Sequence, residues 1–282
     1  MIVIKMPNYG KKRAAAGGKE PHPLKFSIWD KGDEESRALS ARFHEQAARY
    51  GLESDDEQPD IVVSIGGDGT MLQAFHRFRH LLRSVSFVGV HTGRLGFYAD
   101  WRKDELVELV RMIAEARPNI VQYPLVQAEY ESGGERFVQL ALNEFTLKSA
   151  EGTLVAELRI NGEPFEMFRG DGLVISTPSG STAYNKSVGG AVIHPSLEAM
   201  QIAEIASINN RVYRTLGSSI VLPKHHYCDV QTEKPIDLWM DHLLLRLDDT
   251  RTIRFHVAEE KISFARYRPF PFWNRVRESF IT

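Results

Sequence analysis

Ile61-Val62-Val63-Ser64-Ile65-Gly66-Gly67-Asp68-Gly69-Thr70 is the stretch that decides the fold of this chain. Its first half is a nearly continuous apolar run, the pattern of a strand buried on both faces of a parallel sheet. Its second half is a glycine-rich turn, after which Thr70 to Leu82 carries apolar residues at helical spacing. Upstream, Leu24 to Trp29 predicts a strand and Ser36 to Tyr50 a helix with Leu39, Phe43 and Ala47 on one face, ended by Gly51. Downstream, Ser86 to Val90 predicts a second buried strand leading into His91-Thr92-Gly93. Lys103 to Ala116 predicts a helix, broken by Arg117-Pro118. Strands and helices alternating in this way predict a parallel, right-handed α/β layer over residues 24–118.

Over residues 119–263 the pattern changes to short strands of period two, at Gln122 to Glu129, Phe137 to Leu147, Leu154 to Ile160, Leu173 to Thr177 and Tyr227 to Thr232. Gly133-Gly134 and Asn161-Gly162 stand between runs as turn signals. A helix at roughly Pro195 to Ser207 is expected to interrupt this second, largely β domain. Residues 264–282, rich in Phe, Tyr, Trp and Arg, are expected to pack back on the N-terminal domain as an anchoring tail. Met1 to Pro23 carries three prolines, Gly17-Gly18 and Lys11-Lys12-Arg13 without apolar periodicity, and is expected to be a mobile tail or an extension.

Composition narrows the functional classes. At 282 residues and 43% hydrophobic content the chain can bury two ordinary cores. The 35 Lys and Arg against 37 Asp and Glu give a net charge of -2, so no general field draws nucleic acid or an anionic membrane. An anionic ligand must be held by a local site. A single cysteine, Cys228, rules out an intrachain disulfide framework and pairs with nothing at metal-ligand spacing. His225-His226 reads as a surface pair, and no side chains are assigned as metal ligands. No apolar run reaches the ~18 residues of a membrane helix, and no secretory signal is evident, so a reduced, cytoplasmic setting is expected.

The turn between strand and helix sits where open α/β sheets bind ligands. Consecutive glycines let bare N–H groups, backed by a helix N-terminus, approach phosphate oxygens. A carboxylate at Asp68 makes sense beside phosphates only if it handles a proton or holds a metal ion. The plainer alternative makes Asp68 the N-cap of the helix. Neither Gly-x-Gly-x-x-Gly nor the Gly-Lys-Ser/Thr phosphate loop is present, which sets the chain apart from standard dehydrogenases and P-loop proteins.

A second polar cluster runs from Arg169-Gly170-Asp171-Gly172 through a strand to Thr177-Pro178-Ser179-Gly180-Ser181-Thr182-Ala183-Tyr184-Asn185-Lys186-Ser187. So many hydroxyls in one short loop suit the phosphates and sugars of a nucleotide, and Tyr184 can stack on a ring or bond to it. Some hydroxyls are expected only to cap helices and tighten turns. Asn143-Glu144 interrupts the apolar strand Leu140 to Leu147. Because strand neighbours face opposite ways, at least one of the two needs an internal partner or a ligand.

Together these segments resemble the NAD kinase family. The resemblance covers nearly all of the chain from about Leu24 and rests on Gly66-Gly67-Asp68-Gly69-Thr70, Gly93-Arg94-Leu95-Gly96-Phe97, Asn143-Glu144, Gly170-Asp171-Gly172 and Thr177 to Ser187. The Gly-Gly-Asp-Gly signature is shared with diacylglycerol and sphingosine kinases and, in related form, with phosphofructokinases, whereas the Thr-Pro-x-Gly-Ser-Thr-Ala-Tyr loop is specific to NAD kinases. Leu95-Gly96-Phe97-Tyr98-Ala99-Asp100-Trp101 is similar to the version in low-GC Gram-positive bacteria. Met1 to Pro23 departs from the family pattern, whose members of this type begin near the first strand.

The resemblance implies a Rossmann-like, phosphofructokinase-like α/β N-terminal domain and a β-rich, β-sandwich-like C-terminal domain, with NAD held between them in a homo-oligomer, a dimer or tetramer. It implies transfer of the γ-phosphoryl of ATP, or of polyphosphate, to the 2′-hydroxyl of the adenosine ribose of NAD, with a divalent metal such as Mg2+. Asp68 matches the catalytic aspartate, and Gly67, Gly69, Leu72 and Phe97 match positions near the dinucleotide. Asn143 and Glu144 match binders of a ribose or adenine group. Asp171, with Arg169 beside it, matches a contact on the nicotinamide side, reached from a neighbouring subunit. Ser179, Thr182, Ala183, Tyr184 and Ser187 match the adenosine pocket, and His242, following Asp241 on a late strand, a position near phosphates. A lipid kinase of the diacylglycerol type and a non-catalytic NAD or NADP sensor are the competing readings. Retention of Asp68 argues against the sensor, and the Thr177 to Ser187 loop against the lipid kinase.

Overall fold

The computed structural model describes residues 23–93, 95–211 and 213–282, so the expectation for Met1 to Pro23 lies, Pro23 apart, outside the described residues. The chain divides into two compact units. One comprises the residues up to Gln122 together with Ser263–Thr282, and the other is Tyr123–Ile262.

The first unit is built from β1 (Lys25–Asp30), α1 (Glu34–Arg49), β2 (Glu53–Ser54), β3 (Ile61–Gly66), α2 (Asp68–Phe78), β4 (Ser86–His91), β5 (Trp101–Arg102) and α3 (Leu106–Glu115). Its sheet runs β2-β1-β3-β4, and every pair in it is parallel, including β5 on β4. All six residues of β3 are buried, which explains its unbroken apolar run. The Asp33 carboxylate caps α1 by accepting from the Ser36 amide at 2.8 Å, with Glu34 and Glu35 in the first turn. The core joins Phe26, Val63, Ile65, Val88 and Val90 of the sheet to Phe43 and Ala47 of α1 and Leu106, Leu109 and Val110 of α3. Each large apolar side chain buried in this way contributes roughly 1.5–3 kcal/mol.

The rest of the chain forms β6 (Asn119–Ser132), β7 (Glu135–Ala141), β8 (Glu144–Ser149), β9 (Leu154–Ile160), β10 (Glu163–Gly170), β11 (Gly172–Ser176), the short α4 (Tyr184–Ser187), β12 (Ala199–Ile205), β13 (Ile220–Pro223), β14 (Tyr227–Gln231), β15 (Ile236–Met240), β16 (Leu243–Leu247), β17 (Thr252–Arg266) and the C-terminal α5 (Phe272–Phe280). In the second unit one antiparallel sheet runs β13-β12-β11-β8-β15-β16, and another joins β10, β9, β14 and β17, with β6 against β17 and β7. Leu147, Leu173 and Leu238 of the first sheet and Leu158, Val230 and Phe255 of the second share one buried core, as in a sandwich. Gly133 and Gly134, at φ 58° and 79°, and Asn161 and Gly162, at φ 52° and 85°, make two hairpin turns in the left-handed conformation that their sequence announces.

Three expectations need correction. Pro195 to Ser207 holds a strand, β12, in place of a helix. Ala199, Met200, Gln201, Ile202 and Ala203 are all buried between β11 and β13, and burial on both faces overrides the helix propensity of Leu, Glu, Ala, Met and Gln. Leu140 to Leu147 is not one strand, since β7 ends at Ala141 and β8 begins at Glu144. His242 lies in the two-residue turn between β15 and β16 and not on a strand.

Candidate active site

In the first unit, Gly67 is the N-cap of α2 without a side-chain cap, and Asp68 is the first helical residue. The capping alternative for Asp68 therefore falls. Its carboxylate accepts the backbone N–H of Phe97 at 2.8 Å and of Tyr98 at 3.1 Å, tying the loop before β5 to the glycine turn. Burial pushes the Asp68 carboxyl above the usual carboxylate range, against the pull of those two amides and of Arg275 and His91. An acid so placed can take a proton more readily than an exposed one, which is what a general base near neutral pH requires. Space here is tight, because a Cβ on Gly66 would meet the Thr70 side chain and one on Gly96 the Asp68 carboxyl. Gly67 and Gly69 are exposed with open space where a Cβ would stand, and Leu72, one turn on, is buried. The Phe97 ring lies 6.2 Å from Phe272 and 5.7 Å from Phe280, centroid to centroid.

In the second unit the Asn143-Glu144 pair and the hydroxyl-rich loop come together. The Thr177 amide donates to Asn143 O at 2.9 Å, and its hydroxyl donates to Leu142 O at 2.7 Å. Ser179 donates to the same carbonyl at 3.2 Å. Ser181 donates to Pro178 O at 2.6 Å and accepts from the Ile193 amide, and Thr182 donates to Ser179 O at 3.2 Å. These hydroxyl protons are therefore spent on shaping the loop, leaving amides, carbonyls and the half-buried Ala183 and Tyr184 as its accessible recognition groups. A Cβ on Gly180 would collide with the Asn143 backbone, so that glycine is required by close approach. Ser187 is exposed on α4.

Asn143 and Glu144 are each only 9% exposed. Glu144 accepts the Tyr184 amide, while burial and the neighbouring Asp241 push its carboxyl up to about 8. One of its oxygens, Oε2, is buried with no hydrogen-bond partner, an open position for a ligand donor or acceptor.

Arg169 and Asp171 are not brought to this cluster. They flank the start of β11, and Ser176, the register partner of Glu144, stands at its other end, five residues and roughly 16 Å away. Arg169 lies over the Tyr213 ring, 5.2 Å from its centroid, and Asp171 is exposed. His242 is exposed in its turn.

Sequence reasoning missed two residues. Asp241, at φ 52°, accepts three consecutive amides, those of Leu142 at 3.0 Å, Asn143 at 2.7 Å and Glu144 at 3.2 Å. These bonds replace ladder bonds and explain the break between β7 and β8. Asp-His between two apolar runs is a hairpin signal that could have found it. Arg275 of α5 donates to Gly96 O at 2.6 Å and to Ala99 O, bracing the loop that holds Asp68. No local pattern marks it.

Family models described as the ATP-NAD kinase N-terminal and C-terminal domains match residues 8–117 and 142–266. The chain belongs to the NAD kinase family. It is 55% identical over 262 residues to NAD kinase 1 of Bacillus cereus (strain ATCC 10987 / NRS 248), covering 92% of this chain and 99% of that one. To the NAD kinase of Geobacillus stearothermophilus it is 54% identical over 263 residues, covering 92% and 97%. Its fold is similar to that of yeast NADH kinase complexed with NADH, with a TM-score of 0.78 at 18% identity over 93% of this chain and 88% of that one. A second similar structure is an NAD kinase from Archaeoglobus fulgidus in complex with ATP, with a TM-score of 0.72 at 25% identity over 91% and 97%. With the family matches, these likenesses give this chain the two-domain NAD kinase fold, an N-terminal α/β domain and a C-terminal β-rich domain with antiparallel sheets.

Proposed function

We propose that this chain is an NAD kinase, transferring the γ-phosphoryl group of ATP to the 2′-hydroxyl of the adenosine ribose of NAD and giving NADP. The single observation that carries the mechanism is Asp68, a half-buried carboxyl held by two amides at a phosphate-type glycine turn. A ribose hydroxyl is a poor nucleophile near neutral pH. Asp68 aligns it and accepts its proton as the phosphoryl group arrives. Amides of Gly67 and Gly69 at the start of α2 face the donor's phosphates. The second unit recognises the nucleotide through Asn143, Glu144, Ala183 and Tyr184.

A divalent ion, Mg2+ by chemistry, enters as the metal complex of ATP and is part of the substrate. The donor set agrees with that route, since the Asp68 carboxylate already accepts two amides. The two units serve as N-terminal and C-terminal domains. The enzyme works as a homo-oligomer, in which Arg169 and Asp171, remote from the Asn143 cluster of their own chain, serve a neighbouring subunit. The exposed register partners Trp239 and Leu244, 39% and 48% accessible, supply apolar surface for assembly. A cytoplasmic setting fits a single buried thiol, which burial pushes up to about 12, and the absence among the described residues of any helix long and apolar enough to cross a membrane.

Labelled ATP offered with NAD, and separately with diacylglycerol, tests the proposal. Label in NADP alone is the expected result. Label in the lipid, or in neither acceptor, would overturn it. Sedimentation of the purified chain as a monomer at micromolar concentration would overturn the oligomer.

A further inference from the structure

Asp241 takes no part in the reading above, yet it holds the one irregular stretch beside the nucleotide-recognising pair. Its Oδ2 accepts Leu142 N, its Oδ1 accepts both Asn143 N and Glu144 N, and its own amide donates to Glu144 O at 3.0 Å. Four backbone bonds to three residues are more than a two-residue hairpin turn needs. A half-buried carboxylate placed against the buried Glu144 carboxyl raises the cost of ionising both, which is unfavourable unless it does something. We propose that Asp241 is the positioning residue of the nucleotide site: it fixes Asn143 and Glu144 through consecutive amides, and its charge adds to burial in keeping Glu144 a hydrogen-bond donor toward the ligand. The inference rests on the reading that Asn143 and Glu144 bind NAD.

The surroundings of Glu144 support the donor role. On β11 its register partner is Ser176, which cannot neutralise it. The turn after β15 presents Asp241, of like charge, and α4 presents only the Tyr184 amide. The Lys148 ammonium on β8 lies over the Tyr184 ring, 5.9 Å from its centroid. With one oxygen occupied by Tyr184 N–H and Oε2 unpartnered, a protonated Glu144 offers its O–H to a ring nitrogen or a sugar oxygen. An ionised Glu144 would present acceptors only. The pocket would then favour a different group, or weaken.

The test is the affinity of the full chain for NAD by calorimetry from pH 6.5 to 9. Thermal melts at each pH show that every variant is folded. With Glu144 at about 8, the wild-type dissociation constant should rise about tenfold between pH 7 and pH 9. Glu144→Gln, a permanent donor that leaves the Asp241 brace intact, should lose the alkaline rise. Asp241→Asn keeps one acceptor for the amides but removes the charge. It should bind NAD about tenfold more weakly at pH 7, with its alkaline rise beginning at lower pH than in wild type. A role confined to the turn would lower the melting temperature without moving that limb. An unmoved limb in Asp241→Asn would overturn the proposal, and so would a flat wild-type profile. Glu144→Gln decides independently if Asp241→Asn does not fold, because a retained alkaline rise in that variant refutes the donor role. Asn143→Ala separates the two layers. If it binds NAD as wild type does, the site reading itself falls and the proposal with it; if it binds weakly while Asp241→Asn behaves as wild type, only the proposal falls.

Discussion

Replacing Arg275 by Met removes a single guanidinium from α5 and should reach the catalytic carboxylate through two shells of hydrogen bonds. Arg275 is 9% exposed and donates to the carbonyls of Gly96 and Ala99. Between those carbonyls lie the Phe97 and Tyr98 amides that hold Asp68. Hydrogen bonds from a charged donor contribute about 1.5–3 kcal/mol each, and the vacated carbonyls stay buried without partners. Asp100 keeps its ion pair with Arg266 at 2.5 Å, so no charge is orphaned and the loss should stay near the lower end, about 3 kcal/mol. At about 2–4 °C per kcal/mol for a domain of this size, the melting temperature should fall by roughly 6–12 °C. Met fills much of the volume, so the change reports the hydrogen bonds more than a cavity. Below the melting temperature kcat should drop with KM for NAD little changed, because the loop holds Asp68 and not the nucleotide. Scanning calorimetry with steady-state kinetics reads both quantities. A melting temperature within about 2 °C of wild type and an unchanged kcat would refute the bracing argument.

Two further predictions concern the same two clusters. Glu144 holds its proton up to about 8 when folded and to about 4.5 when unfolded, so its contribution to stability is complete below pH 4.5 and is lost as the pH rises to 8. Wild type should therefore lose up to about 4 kcal/mol over that window, and Glu144→Gln should lack the decline, as denaturant melts at pH 5 and pH 8 would show; parallel declines in the two proteins would remove Glu144 from the account. Gly96→Ala places a Cβ against the Asp68 carboxyl, which should displace the carboxyl and cut kcat about 100-fold for a stability cost of roughly 1–3 kcal/mol. Wild-type turnover in that variant would mean that Asp68 need not stand where it does.

Much of the first unit could be read from the chain because its signals are local. The apolar run at Ile61–Ile65 and the glycines after it describe a buried strand and a phosphate-type turn within ten residues, and the same segment places Asp68. The second unit hid more. β12 is composed of helix formers, and only its position between β11 and β13 makes it a strand. β10, β13, β15, β16 and β17 lie outside the predicted strands; β10, β13 and β16 stand at sheet edges, where one neighbour is missing and burial shapes the pattern less. Asn143 and Glu144 stood out as polar residues in an apolar run, but the residue that shapes them, Asp241, lies almost 100 positions later. Arg275 is further still from the loop it braces. Contacts between residues so distant in sequence leave no periodic trace, so such supporting residues emerge only once the strands are in register. The hydroxyls of Thr177, Ser179, Ser181 and Thr182 show the converse: their chemistry was legible, but their partners are carbonyls of the protein itself.

The most direct test of the account is the rate of NADP formation from NAD and ATP by wild type and by Asp68→Asn, measured side by side at saturating substrate and across magnesium concentrations. Asn keeps one acceptor for the Phe97 and Tyr98 amides and turns an N–H toward the other, so the variant should melt somewhat lower yet remain folded. With the base removed, kcat should fall by about 100-fold to 10,000-fold while the affinity for NAD changes modestly. Turnover close to wild type in the folded Asp68→Asn protein at ordinary magnesium would contradict the assignment of Asp68 as the proton acceptor.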